Sequence, residues 1–159
     1  MIHNDVLRRT RFALNLPDSE VRRLCGLVGE PLSDSDLRAC LAREDDPDFA
    51  FCPDWILGAF LDGLILERRG PRDADQGRRG AETLDNNGIL KKLRIALELR
   101  EPDLLALLKL GGMTLSSPEL GALFRNRNHK NYRPCGDQVL RAFLRGLTVQ
   151  RRGVGAVES

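Results

Sequence analysis

Residues 126–138 hold the chain's densest set of side chains that could do chemistry: Asn-Arg-Asn-His-Lys-Asn-Tyr-Arg-Pro-Cys-Gly-Asp-Gln. Arg127, Lys130 and Arg133 supply cations, and His129 and Tyr132 are interleaved with them. Charge for a phosphate backbone and a ring for stacking are what a single-stranded nucleic acid needs. The same residues also read as a solvated basic loop that Tyr132 and Pro134 anchor to the core. A catalytic use of His129, Cys135 and Asp137 would require a closed pocket and an activated group, and the spacing supplies neither. Phosphate-loop, dinucleotide-binding, zinc-protease and nucleophile-elbow motifs are absent. The reading is therefore non-catalytic, with no cofactor. Four cysteines without Cys-x-x-Cys spacing and only two histidines give no metal site. Cys25 and Cys40 fall among apolar residues of predicted helices, as reduced structural thiols.

The elements that must position this loop are duplicated. At an offset of 83 residues the slot of 126–138 is filled by Arg43–Trp55, which is acidic where the later loop is basic. Cys-x-Asp stands in both, as Cys52/Asp54 and Cys135/Asp137. The match runs without a gap from Asn4–Gly70 to Asn87–Gly153, with identical residues at roughly a third of the positions. We read 4–70 as a first, acidic repeat, 71–86 as a linker and 87–153 as a second, basic repeat.

Each repeat reads as four helices, so the fold class is all-α: two homologous four-helix units packed about a pseudo-two-fold axis. The first helix carries Val6, Leu7, Ala13 and Leu14, matched by Ile89, Leu90, Ala96 and Leu97, at helical spacing. Asn4 and Asn87 stand where N-caps would. A second helix near 19–28 ends at Gly29, and its counterpart at Gly111-Gly112, with Pro102 in the counterpart's first turn. Ser33-x-x-Asp36 and Ser116-x-x-Glu119 are capping boxes that open the third helix. The fourth carries Ile56, Leu57, Phe60, Leu61 and Leu64, matched by Val139, Leu140, Phe143, Leu144 and Leu147. Arg11/Arg94 and Asp54/Asp137 are shared by both repeats and read as an ion pair or cap bracing the first helix to the fourth.

Composition agrees with helices: 42% of residues are hydrophobic, 30% charged and only 5% aromatic, too few β-formers for a sheet protein. No apolar run approaches the roughly 18 residues of a membrane span, and the first residues lack a signal-peptide pattern, so a cytoplasmic location with no membrane partner is expected. Residues 71–85 are rich in Gly, Arg and Asp without apolar periodicity and read as a flexible linker, and 154–159 as a frayed tail. A helix-turn-helix over 19–43 fails where Ser35 and Pro118 occupy a position that should be buried and apolar.

Asn86–Leu97, His129–Gln138 and Phe143–Leu147, taken together, resemble the uncharacterised bacterial YehS-like family, itself a tandem pair. The first repeat matches through Asn4–Arg9 and Glu44–Pro47. Gly88 departs from the pattern, and a glycine there would fray the opening helix by about 1 kcal/mol. The resemblance implies a small intracellular bacterial protein and brings no activity or ligand. The expectation is a binding module whose basic repeat contacts an anionic partner, nucleic acid foremost, through Arg127, His129, Lys130, Tyr132 and Arg133. The alternative is a protein-interaction adaptor meeting an acidic protein surface, or a homodimer formed through the complementary loops.

Overall fold

The computed structural model describes residues 1–78, 84–153 and 155, and these are helical with no strand. The first repeat supplies α1 (His3–Ala13), α2 (Asp18–Leu27), α3 (Asp34–Leu41) and α4 (Asp54–Arg69). A connecting α5 (Pro71–Arg78) comes next. The second repeat supplies α6 (Asn86–Leu97), α7 (Glu101–Leu110), α8 (Ser117–Leu123) and α9 (Asp137–Arg152).

Local chemistry sets several ends. Ser33 accepts the Asp36 N–H at 3.1 Å before α3. Before α8, Ser116 accepts the Glu119 N–H at 3.2 Å and Glu119 accepts the Ser116 N–H at 2.9 Å, a complete capping box. Such a cap contributes about 1 kcal/mol. Gly29 and Gly112 come after α2 and α7 with φ of +78° and +93°, the left-handed conformation that glycine adopts at least cost. Gly88 does not fray α6, because Asp85 is the N-cap and its carboxylate accepts the Gly88 N–H at 2.8 Å.

Within each repeat the tightest contact is between the second and fourth helices. A Cβ on Gly63 of α4 would lie 2.1 Å from the carbonyl oxygen of Leu24, and one on Gly146 of α9 only 1.8 Å from that of Leu107. These are equivalent positions 83 residues apart, so both interfaces rest on backbone touching backbone.

The first helix does not complete its own repeat. α1 packs along α9 and α6 along α4, while α1 meets α4, and α6 meets α9, over far shorter stretches. The repeats thus exchange their first helices. Both exchanged pairs run parallel. The Met1 ammonium reaches Asp137 at one end of the α1–α9 pair, and Arg152 donates to Asn15 at 2.9 Å and stacks over Phe12 at 4.2 Å at the other. Along α4–α6, Lys92 pairs with Asp62 midway and Arg69 with Glu98 at 2.8 Å near the end. The buried apolar side chains form one continuous core drawn from both repeats.

The connection differs from the flexible linker expected of its composition. Pro71 takes the first helical position after Gly70, Arg69 pairs with Asp73 at 3.0 Å, and Ala74 is buried. Ala74 thus turns one small apolar side chain of this polar helix into the core. Residues 79–83 of that segment, and all of the expected tail at 154–159 except Gly155, lie outside the described residues.

Candidate nucleic-acid interface

Both loops hang from an asparagine of the repeat's first helix, fully buried at Asn4 and half-buried at Asn87, which is the correction the structure makes to the expected N-caps. Asn4 lies inside α1 and is fully buried. Its amide donates to the carbonyls of Cys40 and Ala50 at 3.0 and 2.8 Å, and its oxygen accepts the Cys52 N–H at 2.9 Å. Asn87 repeats this in α6, donating to the carbonyls of Leu123 and Arg133 at 2.9 and 3.0 Å and accepting the Cys135 N–H at 2.8 Å. One carboxamide can satisfy three backbone groups that would otherwise be buried without partners. The signal was present in the sequence as an identical Asn in both repeats, but a cap and a staple look the same there.

Within the basic loop the backbone turns on itself. The His129 N–H donates to the Asn126 carbonyl at 2.9 Å and the Tyr132 N–H to the His129 carbonyl at 3.0 Å. The Nδ1 of His129 accepts the Asn131 N–H at 2.9 Å, so the neutral ring carries its proton on Nε2. His129 is thus engaged as a turn residue, with Nε2 3.4 Å from an Arg125 nitrogen. Arg127 is tied to Asp85, which removes it from the other cations.

What the structure brings together is a groove of about 750 Å³ between α8 and the loop. Leu115, Pro118, Ala122 and Val139 give it apolar walls, and Arg125, Lys130, Arg133 and the half-buried Tyr132 add cations and a ring. Arg125 is the residue that reading the sequence missed, standing one position before the window that held the other cations. Glu119 is the groove's one acid. The Ser116 N–H holds its carboxyl below the usual carboxylate range, with Arg133 adding to the effect, so it stays charged and offsets part of the positive field. A smaller hollow of about 380 Å³ lies between the ends of α1 and α9, with Arg151 and Arg152 on its wall.

The shared charges make other partnerships than the brace between them that the sequence suggested. Asp54 and Asp137 are the first residues of α4 and α9, where a carboxylate complements the helix dipole. Asp54 meets His3 Nε2 at 2.5 Å, and Asp137 accepts from Asn86 at 2.8 Å and from the Met1 ammonium. That ammonium, and after it the Asn86 amide, holds the Asp137 carboxyl below its ordinary value of 3.8. Arg11 and Arg94 reach neither acid. Arg11 pairs with Asp18 at 2.9 Å, while Arg94 donates to the Leu99 carbonyl at 3.2 Å and lies over Phe124 at 4.6 Å. Arg11 thereby ties the end of α1 to the start of α2, and Arg94 ties the end of α6 to the turn before α7.

Burial pushes the Cys135 thiol up to about 11, so it is protonated at neutral pH, and its Sγ faces the Gly136 carbonyl at 3.6 Å. His129, Cys135 and Asp137 are each turned to different partners. Among the described residues no group of three His, Cys, Asp or Glu side chains is placed to hold a metal ion. No helix among them is long and apolar enough to cross a membrane.

Comparison with known proteins gives a family match on both repeats. The model of a protein family of unknown function, DUF1456, matches residues 3–70 and again 86–153. The uncharacterized protein YehS of Escherichia coli (strain K12) is 39% identical over 151 residues, 95% of this chain and 97% of that protein. No solved structure matches the chain.

Proposed function

We propose a function for a chain that belongs to the DUF1456 family, whose own function is unknown: it is a non-catalytic binding module whose second repeat takes a single-stranded nucleic acid. The observation that carries the reading is the groove beside α8, where three cations and a partly exposed ring stand over apolar walls. Arg125, Lys130 and Arg133 would hold phosphates, and Tyr132 and the apolar wall would take a base. Asn87 supports the arrangement by fixing the Arg133 carbonyl, and hence the backbone that aims its side chain. A cytoplasmic location goes with this reading, and four free thiols support a reducing compartment.

The test is fluorescence anisotropy with short single-stranded RNA and DNA at rising salt. Three phosphate contacts predict that log K falls against log salt with a slope of about −2. A folded Lys130→Glu/Arg133→Glu variant should lose at least about ten-fold in affinity. Equal binding by the variant and the wild type would sink the reading, as would no binding to either nucleic acid at low salt.

A further inference from the structure

Large exposed apolar side chains stand beside the acidic loop and have no equivalent beside the basic one. Phe51 is 69% exposed and Trp55 46%, and Phe51 meets the half-buried Phe49 edge-on at 5.1 Å between ring centres. Repeat two places Pro134 and Gln138 at the positions of Phe51 and Trp55. Glu44, Asp45, Asp46 and Asp48, all exposed, lead into this aromatic knob in the same loop. A ring so exposed contributes little to the core of its own chain, and exposed apolar patches rimmed by polar residues mark contact surfaces.

We propose that the knob docks into the basic groove of a second copy of this chain, forming a two-fold dimer through the end of the molecule that carries both loops. Charge, shape and symmetry all select this occupant. Residues 42–53 contain four acids and one arginine, while 125–136 contain four Lys or Arg and no acid. The groove offers Phe51 an apolar floor of Leu115, Ala122 and Val139. Both loops lie at one end of the bundle, because each runs into a helix whose first residue touches the start of α1: Asp54 through His3 and Asp137 through Met1. A two-fold axis along the boundary between the acidic and basic halves lays each half over its complement, so the contact closes after two copies instead of growing into a filament. The dimer and a nucleic-acid strand use the same groove and exclude each other, although the dimer does not depend on nucleic-acid binding.

Sedimentation equilibrium of the full chain at low and high salt tests this, with Trp55, the chain's one tryptophan, reporting contact by its emission. The expected result is a dimer at low salt that dissociates as salt rises, with Trp55 emission shifting to shorter wavelength on association. Phe51→Ser and Lys130→Glu/Arg133→Glu should each weaken self-association at least about ten-fold while keeping wild-type helicity. An equimolar mixture of the two variants should associate more tightly than either alone, because it restores one intact knob-and-groove pair. Monomers at every salt concentration would overturn the proposal, as would a dimer that neither variant weakens. Adding oligonucleotide separates the two readings: if it binds nothing, the nucleic-acid reading fails while the masses still decide the dimer.

Discussion

In the acidic loop the Asp46 carboxylate accepts the Asp48 N–H at 2.8 Å, and in the basic loop the His129 Nδ1 accepts the Asn131 N–H at 2.9 Å. Asp46 and His129 are equivalent positions, so a carboxylate and an imidazole close the same turn. The surrounding pattern is also shared. The Ala50 N–H donates to the Ala39 carbonyl at 3.2 Å, and the Arg133 N–H to that of Ala122 at 3.1 Å. Each loop hangs from the equivalent asparagine, Asn4 or Asn87. The backbone framework is therefore common to both repeats, and the exposed positions around it have diverged in sign. What this teaches is a separation of tasks. Asn4 and Asn87 set where the loops are, and the exposed residues set what each loop would meet.

The comparison breaks most severely where both repeats need backbone contact. Gly63→Ala and Gly146→Ala should each cost about 3 kcal/mol or more, since no rotamer change can move a backbone carbonyl aside. Gly58→Ala, whose new Cβ would lie 4.0 Å from a Leu84 methyl, should instead be neutral or stabilising by up to about 1 kcal/mol through helix propensity. Urea denaturation midpoints, compared at equal slope, separate these outcomes. A Gly146→Ala chain as stable as the wild type would show that α7 and α9 do not touch in this way.

Next in size are the asparagines. Asn4→Ala strands two carbonyls and one N–H and should cost about 3 kcal/mol. Asn87→Ala should cost less, because its site is only partly buried and water can reach some of the freed groups. Amide hydrogen exchange at Cys52 and Cys135 would localise each loss to the matching loop. If either substitution released both loops equally, the loops would not be independently hung.

Exposed charges should matter much less to folding. Lys130→Glu/Arg133→Glu should change stability by no more than about 0.5 kcal/mol while removing the expected nucleic-acid binding. Thermal melts beside anisotropy would check that function and stability separate there. The smallest effect concerns Asp137. Its carboxyl is depressed in the folded chain, so its contribution is in place above the ordinary value of 3.8 and is lost as pH falls through the lower folded value. Asp137→Asn should therefore slightly lower stability at neutral pH, where the carboxylate's contribution is in place, leave it nearly unchanged below the folded value, and so flatten the acid limb of the stability profile. Acetylation of the amino terminus should do the same, because the ammonium is the first cause of the shift. Unfolding midpoints across that range measure both.

Much of the fold is legible in the residues because its causes are local. Ser33 and Ser116 with their acids announce helix starts, Gly29 and Gly112 announce helix ends, and the stripe from Ile56 to Ile65 announces a helix buried along most of its length. The site is less legible. Lys130, Tyr132 and Arg133 do share a groove, yet Arg127 is drawn off to Asp85, His129 closes a turn, and Arg125 joins from the end of α8. Residue type and spacing show which charges are near one another along the chain. They do not show which of them have a partner from elsewhere.

Duplication, helical class, the positions of the fourth helices and the opposed signs of the two loops are thus determined by the sequence alone, since each depends on repeat identity, periodicity or composition. Only the tertiary structure decided that the repeats exchange α1 and α6, that Asn4 and Asn87 are staples instead of caps, and that Pro71–Arg78 lies down as a helix. An apolar face specifies that it must be covered but not by which of two homologous partners. The α1 face fits α9 as well as its own α4 by type, and the choice between them rests on backbone geometry summed over the whole core.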